Sequence, residues 1–483
     1  MSLRKLDHNT APAPERPVKV LQFGEGNFLR AFVDWQLDIA NEKGVTDTAV
    51  AVIGPRFRES EVIRELQKQD GRYHVYLEGI ENGQPQKGSR LITSVADSFS
   101  PATDFPRYIH YVTSPELRFI VSNTTEAGIR YEPDDVLAER PATFPGKITG
   151  LLWRRYNHFN GDPSKGLIFL CCELIEDNGT KLREYVVKHA REASLPEEFI
   201  SWVENSCIFC DTLVDRIVPG FPKDDIEEIK AELGYDDNLV VKGELYHLWV
   251  IGGKDYEKVA QELPLDKAGL HVLFMPSIKE FRDKKVRILN GSHTGMVPVA
   301  LQLGCETVMD AFNNPAVNRF INTMVEREVL PMIDEDPEEL RRFADGILER
   351  FYNPYIRHML KSISLNSLSK WEARNWSTVK DMYARRGEVA PFELFTFAAL
   401  MALYAPGSGF EPEDMPEHVA FIRDNWDDSD LEATVRKIVD GPVFVEKFEQ
   451  AVPGFSAKAA AYIASIRKEG MEKALSDFLA QNA

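Results

Sequence analysis

The sequence has few cysteines and no long apolar run. Five cysteines in 483 residues indicate free thiols in a reducing compartment rather than a disulfide-bonded secreted protein. No run approaches the roughly 18 consecutive apolar residues that a membrane-spanning helix needs. The polar, proline-rich segment 1–17 lacks the apolar core of a secretory signal. We therefore expect a cytoplasmic protein with no membrane partner.

The chain also has fewer basic than acidic residues. The chain has 57 lysines and arginines against 76 aspartates and glutamates, a formal net charge of −19. Nucleic-acid binding needs a concentrated basic surface, so we exclude that class of partner. An acidic small molecule would need a local cationic pocket on this globally repelling protein. Nothing in the sequence indicates an obligate protein partner.

Metal-binding patterns are absent as well. Cys207 and Cys210 form a C-x-x-C pair, but no second Cys/His pair follows at a spacing typical of zinc sites. The ten histidines show no spacing typical of metal ligands. We expect no metal, and we interpret the two cysteines as buried thiols.

What is present is a change of pattern along the chain. A chain of this length is too long for one hydrophobic core. Strand-like runs at 18–23 and 48–53 alternate with helical spacing at 28–41, which is typical of a doubly wound α/β sheet. From about residue 286 the periodicity is almost entirely helical. We predict a flexible segment 1–17, an α/β Rossmann-like domain 18–280 and a mainly α-helical domain 281–483.

A glycine-containing turn, residues 24–30, lies between the first strand and the first helix. Glycines there permit a tight turn and close approach of a pyrophosphate, which the helix N-terminus then receives. Leu29 stands where a third glycine is usual. The second strand ends without the acidic residue that binds the ribose of NAD, and Arg56 and Arg58 could instead accept the 2′-phosphate of NADP. The residues alone leave the choice of cofactor open.

A second cluster, Lys285, Asn290 and His293, begins the helical domain. In an α-helix, Asn290 and His293 are neighbours, and Lys285 lies about 80° around the axis from His293. A lysine of lowered pKa can exchange a proton with an alkoxide, and an asparagine amide can hold the developing oxyanion. This chemistry fits carbonyl reduction. The alternative is a solvated basic helix start with a satisfied histidine.

The motifs Gly24-x-Gly26-x-Phe28-x-Arg30-Ala31 and Lys285-x-x-x-x-Asn290-x-x-His293 resemble those of the mannitol dehydrogenase family of polyol-specific long-chain dehydrogenases. Segments 21–35, 122–129 and 212–218 carry the same resemblance, which covers nearly the full length. It implies an NAD-dependent, metal-independent dehydrogenase in which Lys285 is the general acid/base and Asn290 and His293 assist it.

The resemblance also implies further site residues. We assign the following to the cofactor: Gly24, Gly26, Asn27, Phe28, Arg30, Arg56, Asn123, Thr125 and Glu126. The family has an oxyanion-side asparagine in a Cys-Asp-Asn string, which reads Cys172-Glu173-Leu174 here. Asn178 is then the asparagine available in this segment, and we expect it to bind the substrate together with Asp215. Arg357 offers a planar fork to a carboxylate, and His358 and Lys370 add positive charge.

The implied reaction is NADH-dependent reduction of D-tagaturonate to D-altronate and its reverse, a step of hexuronate catabolism with a sugar acid as substrate. The alternatives within the class are fructuronate reduction and mannitol 2-dehydrogenation. An alternative of another class is an NAD-binding regulatory protein without turnover. The intact lysine, asparagine and histidine argue against that last alternative.

Overall fold

The computed structural model describes residues 3–54, 60–81, 84–124, 128–135, 141–352 and 357–482. The backbone divides into two compact units, Met1–Lys279 and Glu280–Ala483. No helix among the described residues combines the length and apolar character needed to cross a membrane.

The first unit contains all of the described strands. They are β1 Arg4–Lys5, β2 Val18–Phe23, β3 Ala49–Ile53, β4 Tyr73–Glu81, β5 Gln84–Ile92, β6 Val95–Phe99, β7 Phe119–Ser122, β8 Ile168–Cys171, β9 Ile208–Asp215, β10 Tyr235–Asp236, β11 Val241–Glu244, β12 Leu248–Gly252 and β13 Val272–Met275. Its helices are α1 Asn27–Glu42, α2 Glu61–Lys68, α3 Phe105–Val112, α4 Phe144–His158, α5 Asn178–Glu192, α6 Glu197–Ser206, α7 Ile226–Leu233 and α8 Tyr256–Glu262, with 3-10 turns at Pro163–Lys165 and Leu265–Ala268.

The main sheet has eight strands in the order β13-β12-β9-β8-β7-β2-β3-β6. Strands β6, β3, β2, β7, β8 and β9 are parallel, whereas β12 runs antiparallel to β9. This is the doubly wound Rossmann order, and the strand order reverses between β2 and β7, where such folds bind ligands. Smaller sheets pair β11-β4-β5 and β1-β10. The predicted fold class is confirmed.

Alternation along the strands covers both faces of this sheet. Val20 packs in the same apolar cluster as α1, whereas Leu21 packs in the cluster of α4 on the opposite face. Strand β3 is buried at every position. Its continuous apolar run is what a strand covered on both faces requires.

The described residues of the second unit form helices that are joined by turns and loops. Its helices are α9 Lys279–Lys285, α10 Gly291–Gln302, α11 Val308–Asn313, α12 Pro315–Met324, α13 Pro337–Arg350, α14 Leu360–Ile363, α15 Ser367–Arg374, α16 Trp376–Arg386, α17 Pro391–Tyr404, α18 Pro416–Asp424, α19 Leu431–Val439, α20 Phe448–Ala451, α21 Phe455–Glu469 and α22 Met471–Asn482. Five-residue π-helical turns lie at Val286–Asn290 and Val325–Val329, and a 3-10 turn lies at Leu330–Met332.

Helix α17 forms the centre of this unit because residues 392–404 are all buried. A helix that is apolar on all sides is stable only inside a core. The segment 456–479 reads as one helix in the sequence, but the structure divides it at Gly470, where φ is +81°. Glycine adopts this left-handed conformation at little cost and so ends α21.

Candidate active site

The glycine turn after β2 lies at the point where the strand order reverses. Gly24 has φ +144°, and a Cβ there would lie 2.9 Å from Leu29 Cδ1 and 3.3 Å from the carbonyl oxygen of Asn123. Gly26 is the N-cap of α1, and no neighbouring atom lies within 4 Å of where its Cβ would be. No side chain caps this helix, and its first turn has no acidic residue. The open helix N-terminus therefore fits a dinucleotide pyrophosphate.

Arg30 shapes this turn from beneath. The side chain is 3% exposed, and its guanidinium donates to the carbonyl of Glu25 at 3.2 Å, to Asn27 Oδ1 at 2.7 Å and to the carbonyl of Leu239 at 2.6 Å. Each of its nitrogens has a protein acceptor, so Arg30 supports the turn, and its role toward the cofactor stays a prediction. Phe28 lies half-buried and stacks on Phe32 at 4.9 Å between ring centroids. The cofactor roles of Asn27 and Phe28 stay predictions.

The segment after β7 adjoins the glycine turn. The Asn123 N–H donates to the carbonyl of Phe23 at 3.1 Å. The carboxylate of Glu173, a residue that sequence reasoning gave no role, accepts from the Thr124 N–H at 2.8 Å and from the Ser122 hydroxyl at 3.0 Å. Burial raises the pKa of Glu173 despite these hydrogen bonds. Glu173 thus fixes the backbone on both sides of Asn123.

Three predicted cofactor residues, Arg56, Thr125 and Glu126, lie outside the described residues.

The structure corrects the substrate role of Asn178. Its side chain is fully buried, and its Nδ2 donates to the carbonyl oxygens of Cys171 at 2.9 Å and Thr212 at 3.0 Å. Its Oδ1 accepts from the N–H groups of Gly179 and Thr212. A side chain so enclosed ties β8, β9 and α5 together and has no atom left for a ligand. Asp215 lies buried at the end of β9, and its substrate role stays a prediction.

Cys207 and Cys210 are both buried, as interpreted, and burial raises the pKa of each thiol to about 12. Neutral thiols of this kind are poor nucleophiles and poor metal ligands. Across the part of the chain that the structure describes, no cluster of three or more His, Cys, Asp and Glu side chains could hold a metal.

In the second unit, the lysine–asparagine–histidine segment is helical but not uniformly α-helical. Lys285 ends α9, Asn290 ends the π-helical turn, and His293 lies in the first turn of α10. A π-helical turn takes up one extra residue, which removes about 100° of rotation relative to an α-helix. Lys285 and His293 then lie within about 20° of each other, with Asn290 on the same face. The π turn therefore aligns the three side chains.

His293 is the buried member of this face, at 8% exposure. Its ring packs 4.3 Å from that of Phe351 and 5.4 Å from that of His358. Burial first, and then the positive charges of His358, Arg350, Arg374 and Lys285, lower the pKa of His293 well below its ordinary value. Its Nε2 is buried and has no hydrogen-bond partner. A neutral imidazole with one unpaired nitrogen can bind a hydroxyl group.

Arg374 is a cation near this histidine that sequence reasoning missed. It is half-buried at the end of α15, its Nη1 lies 3.1 Å from Thr294 Oγ1, and burial lowers its pKa. Among the described residues no carboxylate pairs with it, which is unusual in so acidic a protein. Its position four residues after Lys370, on the same helix face, was the signal available in the sequence.

The predicted carboxylate ligand Arg357 directly precedes His358 and is exposed. Its side chain is 75% exposed and pairs with Glu306, itself 70% exposed, at 3.4 Å. This is a surface ion pair, and the role of Arg357 toward the substrate carboxylate stays a prediction. His358 lies beside His293, as described above. Lys370 is half-buried, and its Nζ donates to the carbonyl of Ile363 at 3.0 Å.

Two features together are typical of a nicotinamide-dependent dehydrogenase. One is a Rossmann sheet with an open phosphate-binding turn, and the other is a helical unit that aligns a lysine, an asparagine and a neutral histidine. Family models agree: residues 18–267 match the mannitol dehydrogenase Rossmann domain and residues 277–451 match the mannitol dehydrogenase C-terminal domain. The chain belongs to the mannitol dehydrogenase family.

Its curated relatives include proteins named altronate oxidoreductase. The protein from Bacillus subtilis is 42% identical over 98% of this chain and 97% of its own length. The protein from Bacteroides thetaiotaomicron is 39% identical over 97% and 98%, respectively.

Two solved structures share the fold. A D-sorbitol dehydrogenase in substrate-free form has a TM-score of 0.80 at 20% identity, covering 98% of this chain and all of that one. The mannitol 2-dehydrogenase of Pseudomonas fluorescens, in a ternary complex with NAD and D-mannitol, has a TM-score of 0.73 at 21% identity, covering 99% of this chain and all of that one.

Proposed function

We propose that this protein interconverts D-tagaturonate and D-altronate with NAD(H). Relatives that are 38–42% identical over nearly the full chain carry the name altronate oxidoreductase. The observation in this chain that supports a sugar acid over a neutral polyol is the half-buried Arg374 beside His293, which has no carboxylate partner among the described residues.

The cofactor site is the turn at Gly24 and Gly26 with the N-terminus of α1. The N–H groups of the first helical turn receive the pyrophosphate, and the missing side chain at Gly26 leaves it room. Glu173 holds the backbone around Asn123, which borders this turn. When bound, the nicotinamide cofactor supplies the hydride in reduction and accepts it in oxidation.

In the second unit, Lys285 donates a proton to the oxygen that becomes the altronate hydroxyl and takes it back in the reverse reaction. A lysine ammonium is a proton donor in reduction, and the amine it leaves is a proton acceptor in oxidation, so one side chain serves both directions. The Asn290 amide donates a hydrogen bond to the same oxygen as negative charge develops there. The neutral His293 binds a neighbouring hydroxyl through Nε2 and so orients the sugar.

The substrate carboxylate binds Arg374, with the charge of Arg350 adding to the local field. An arginine fork matches a carboxylate in two parallel hydrogen bonds. Anchoring that end of the sugar fixes which carbon faces Lys285. The cationic group around His293 also offsets the repulsion of the anion by the net charge of −19.

Turnover with a panel of keto sugars tests this proposal. NADH consumption, followed at the nicotinamide absorbance band, is expected with tagaturonate and at far lower kcat/KM with fructuronate or fructose. Preference for fructuronate or fructose would contradict the proposed substrate. NADH binding without turnover of any keto sugar would contradict an enzymatic role.

A further inference from the structure

A chain of buried polar groups leads from the core of the second unit to the π-helical turn. Asn375, between α15 and α16, is fully buried, and its Nδ2 donates to Glu393 Oε2 at 2.8 Å and to the carbonyl oxygen of Gly291 at 3.1 Å. Gly291 directly follows Asn290 and lies two residues before His293. Asn375 therefore contacts the backbone where the π turn passes into α10.

Glu393 is itself held in place. It is 1% exposed and lies in the first turn of α17, whose N-cap, Ala390, has no capping side chain. The carboxylate of Glu328 replaces that cap and accepts from the N–H groups of Phe392 and Glu393, both at 2.8 Å. Glu328 lies in the second π-helical turn. The network thus runs from one π turn through α17 and Asn375 to the other.

Such an arrangement is costly unless it serves a purpose. Burial raises the pKa of both carboxyl groups, to about 7 for Glu328 and well above its ordinary value for Glu393, and the charge of Glu328 adds to the shift of Glu393. Asn375 Oδ1 is buried without a partner. An unpaired buried amide oxygen costs about 1–3 kcal/mol. Apolar side chains in place of Asn375 and Glu393 would avoid these penalties, so stability does not explain these two residues.

The hydrogen bond to Gly291, where the π turn passes into α10, explains why Asn375 and Glu393 are present. A π turn is less favourable than an α-helix and is found mostly at functional sites. Relaxation of Val286–Asn290 into an α-helix would rotate Lys285 away from His293 by about 100°. A side-chain amide bonded to the Gly291 carbonyl, anchored at its other end by a carboxyl group, opposes that rotation.

We propose that Asn375 and Glu393 are positioning residues that hold the π turn in register, so that Lys285 and Asn290 reach the same substrate oxygen as it changes charge. The inference rests on the proposed function of Lys285. Neither residue is placed in contact with substrate or cofactor. Loss of the network therefore lowers kcat, while NADH affinity, which depends on the first unit, is unchanged.

The test uses the full-length enzyme and the variants Asn375→Asp, Glu393→Gln and Glu393→Met. Asn375→Asp keeps the shape but loses the donor to Gly291, and we expect kcat to fall at least tenfold with the KM for NADH within twofold. Glu393→Gln keeps an acceptor oxygen for Asn375 and is expected to retain kcat within threefold, whereas Glu393→Met behaves like Asn375→Asp. The control is Thr378→Val, which alters a buried hydroxyl without a hydrogen-bond partner in the neighbouring helix α16.

The outcomes separate cleanly. In the Asn375→Asp, Glu393→Met double variant, the kcat loss should equal that of either single variant. Either substitution alone already interrupts the hydrogen-bonded chain from Glu393 through Asn375 to the Gly291 carbonyl. Wild-type kcat in folded Asn375→Asp would overturn the inference, and so would equal losses in Glu393→Gln and Glu393→Met. If Lys285→Ala keeps full activity, the proposed function of Lys285 itself fails, whatever the network variants show.

Discussion

Arg374 provides the sharpest test of substrate recognition, because the sequence and the structure nominate different arginines for the carboxylate. The Arg374→Met substitution keeps the length and apolar bulk of the half-buried side chain and removes its charge. A hydrogen bond to a charged group is worth about 1.5–3 kcal/mol. At 1.36 kcal/mol per factor of ten, its loss corresponds to a fall of roughly 10- to 150-fold in kcat/KM for tagaturonate.

The assay compares tagaturonate with tagatose, which lacks the carboxylate, in the direction of NADH oxidation. Arg374→Met should leave kcat/KM for tagatose within about threefold, because the lost interaction involves only the charged end of the sugar. Arg374→Lys should fall between wild type and Arg374→Met, since an ammonium keeps the charge but not the planar fork. The ratio of kcat/KM for the two substrates is independent of general effects on folding or on NADH binding.

Arg357→Met is the matched control. Its exposed pair with Glu306 is of a kind worth about 0–1 kcal/mol. We expect less than a threefold change with either substrate. An equal loss with both substrates in Arg374→Met would refute a carboxylate contact and indicate a structural role. A loss confined to tagaturonate in Arg357→Met would support Arg357, the residue predicted from the sequence.

Three further outcomes are expected. Lys285→Ala should lower kcat at least a hundredfold in both directions while NADH binding, followed by fluorescence, stays unchanged; full activity would remove its role in proton transfer. Gly26→Ala should weaken NADH binding at least tenfold without lowering the melting temperature, because its Cβ meets no protein atom within 4 Å, whereas Gly24→Ala should lower both, since φ there is +144°. The raised pKa of Glu328, about 7 against 4.5, favours folding below pH 4.5, and this contribution of a few kcal/mol is lost as the pH rises through 7. Urea unfolding from pH 5 to 8 should show a shallower fall for Glu328→Gln, and identical slopes would exclude this titration.

The first unit could be predicted closely from the sequence because its signals are local. A buried parallel strand needs an uninterrupted apolar run, and β3 has one. The turn at Gly24 needs a glycine, because any Cβ would meet Leu29. Asn178 shows the limit of this reasoning: a polar residue in the expected segment could equally bind a ligand or saturate buried backbone groups. Only the tertiary partners of its amide decide between these roles.

Which arginine binds the substrate carboxylate was harder to predict, because the sequence shows charge but not burial. Arg357 and Arg374 are chemically identical, and each lies near the end of a helical pattern. The surface of so acidic a protein offers most arginines a carboxylate, and Arg357 has one. Arg374 is distinguished by half-burial and by its contact with Thr294, the residue after His293, in a helix 80 residues earlier in the chain.

The π-helical turn marks the deepest limit of prediction. The 3.6-residue period placed Lys285 about 80° from His293, close enough to suggest one site yet too far for both to reach one oxygen. A π turn holds one extra residue and so reduces the angle between Lys285 and His293 to about 20°. No local preference of residues 286–290 predicts this π turn. The turn is stabilised from a distance, by an asparagine 84 residues later in the chain that donates to the Gly291 carbonyl. The catalytic register of this helix therefore depends on the packed core beneath it, which is why substitutions there should change kcat without contact with the substrate.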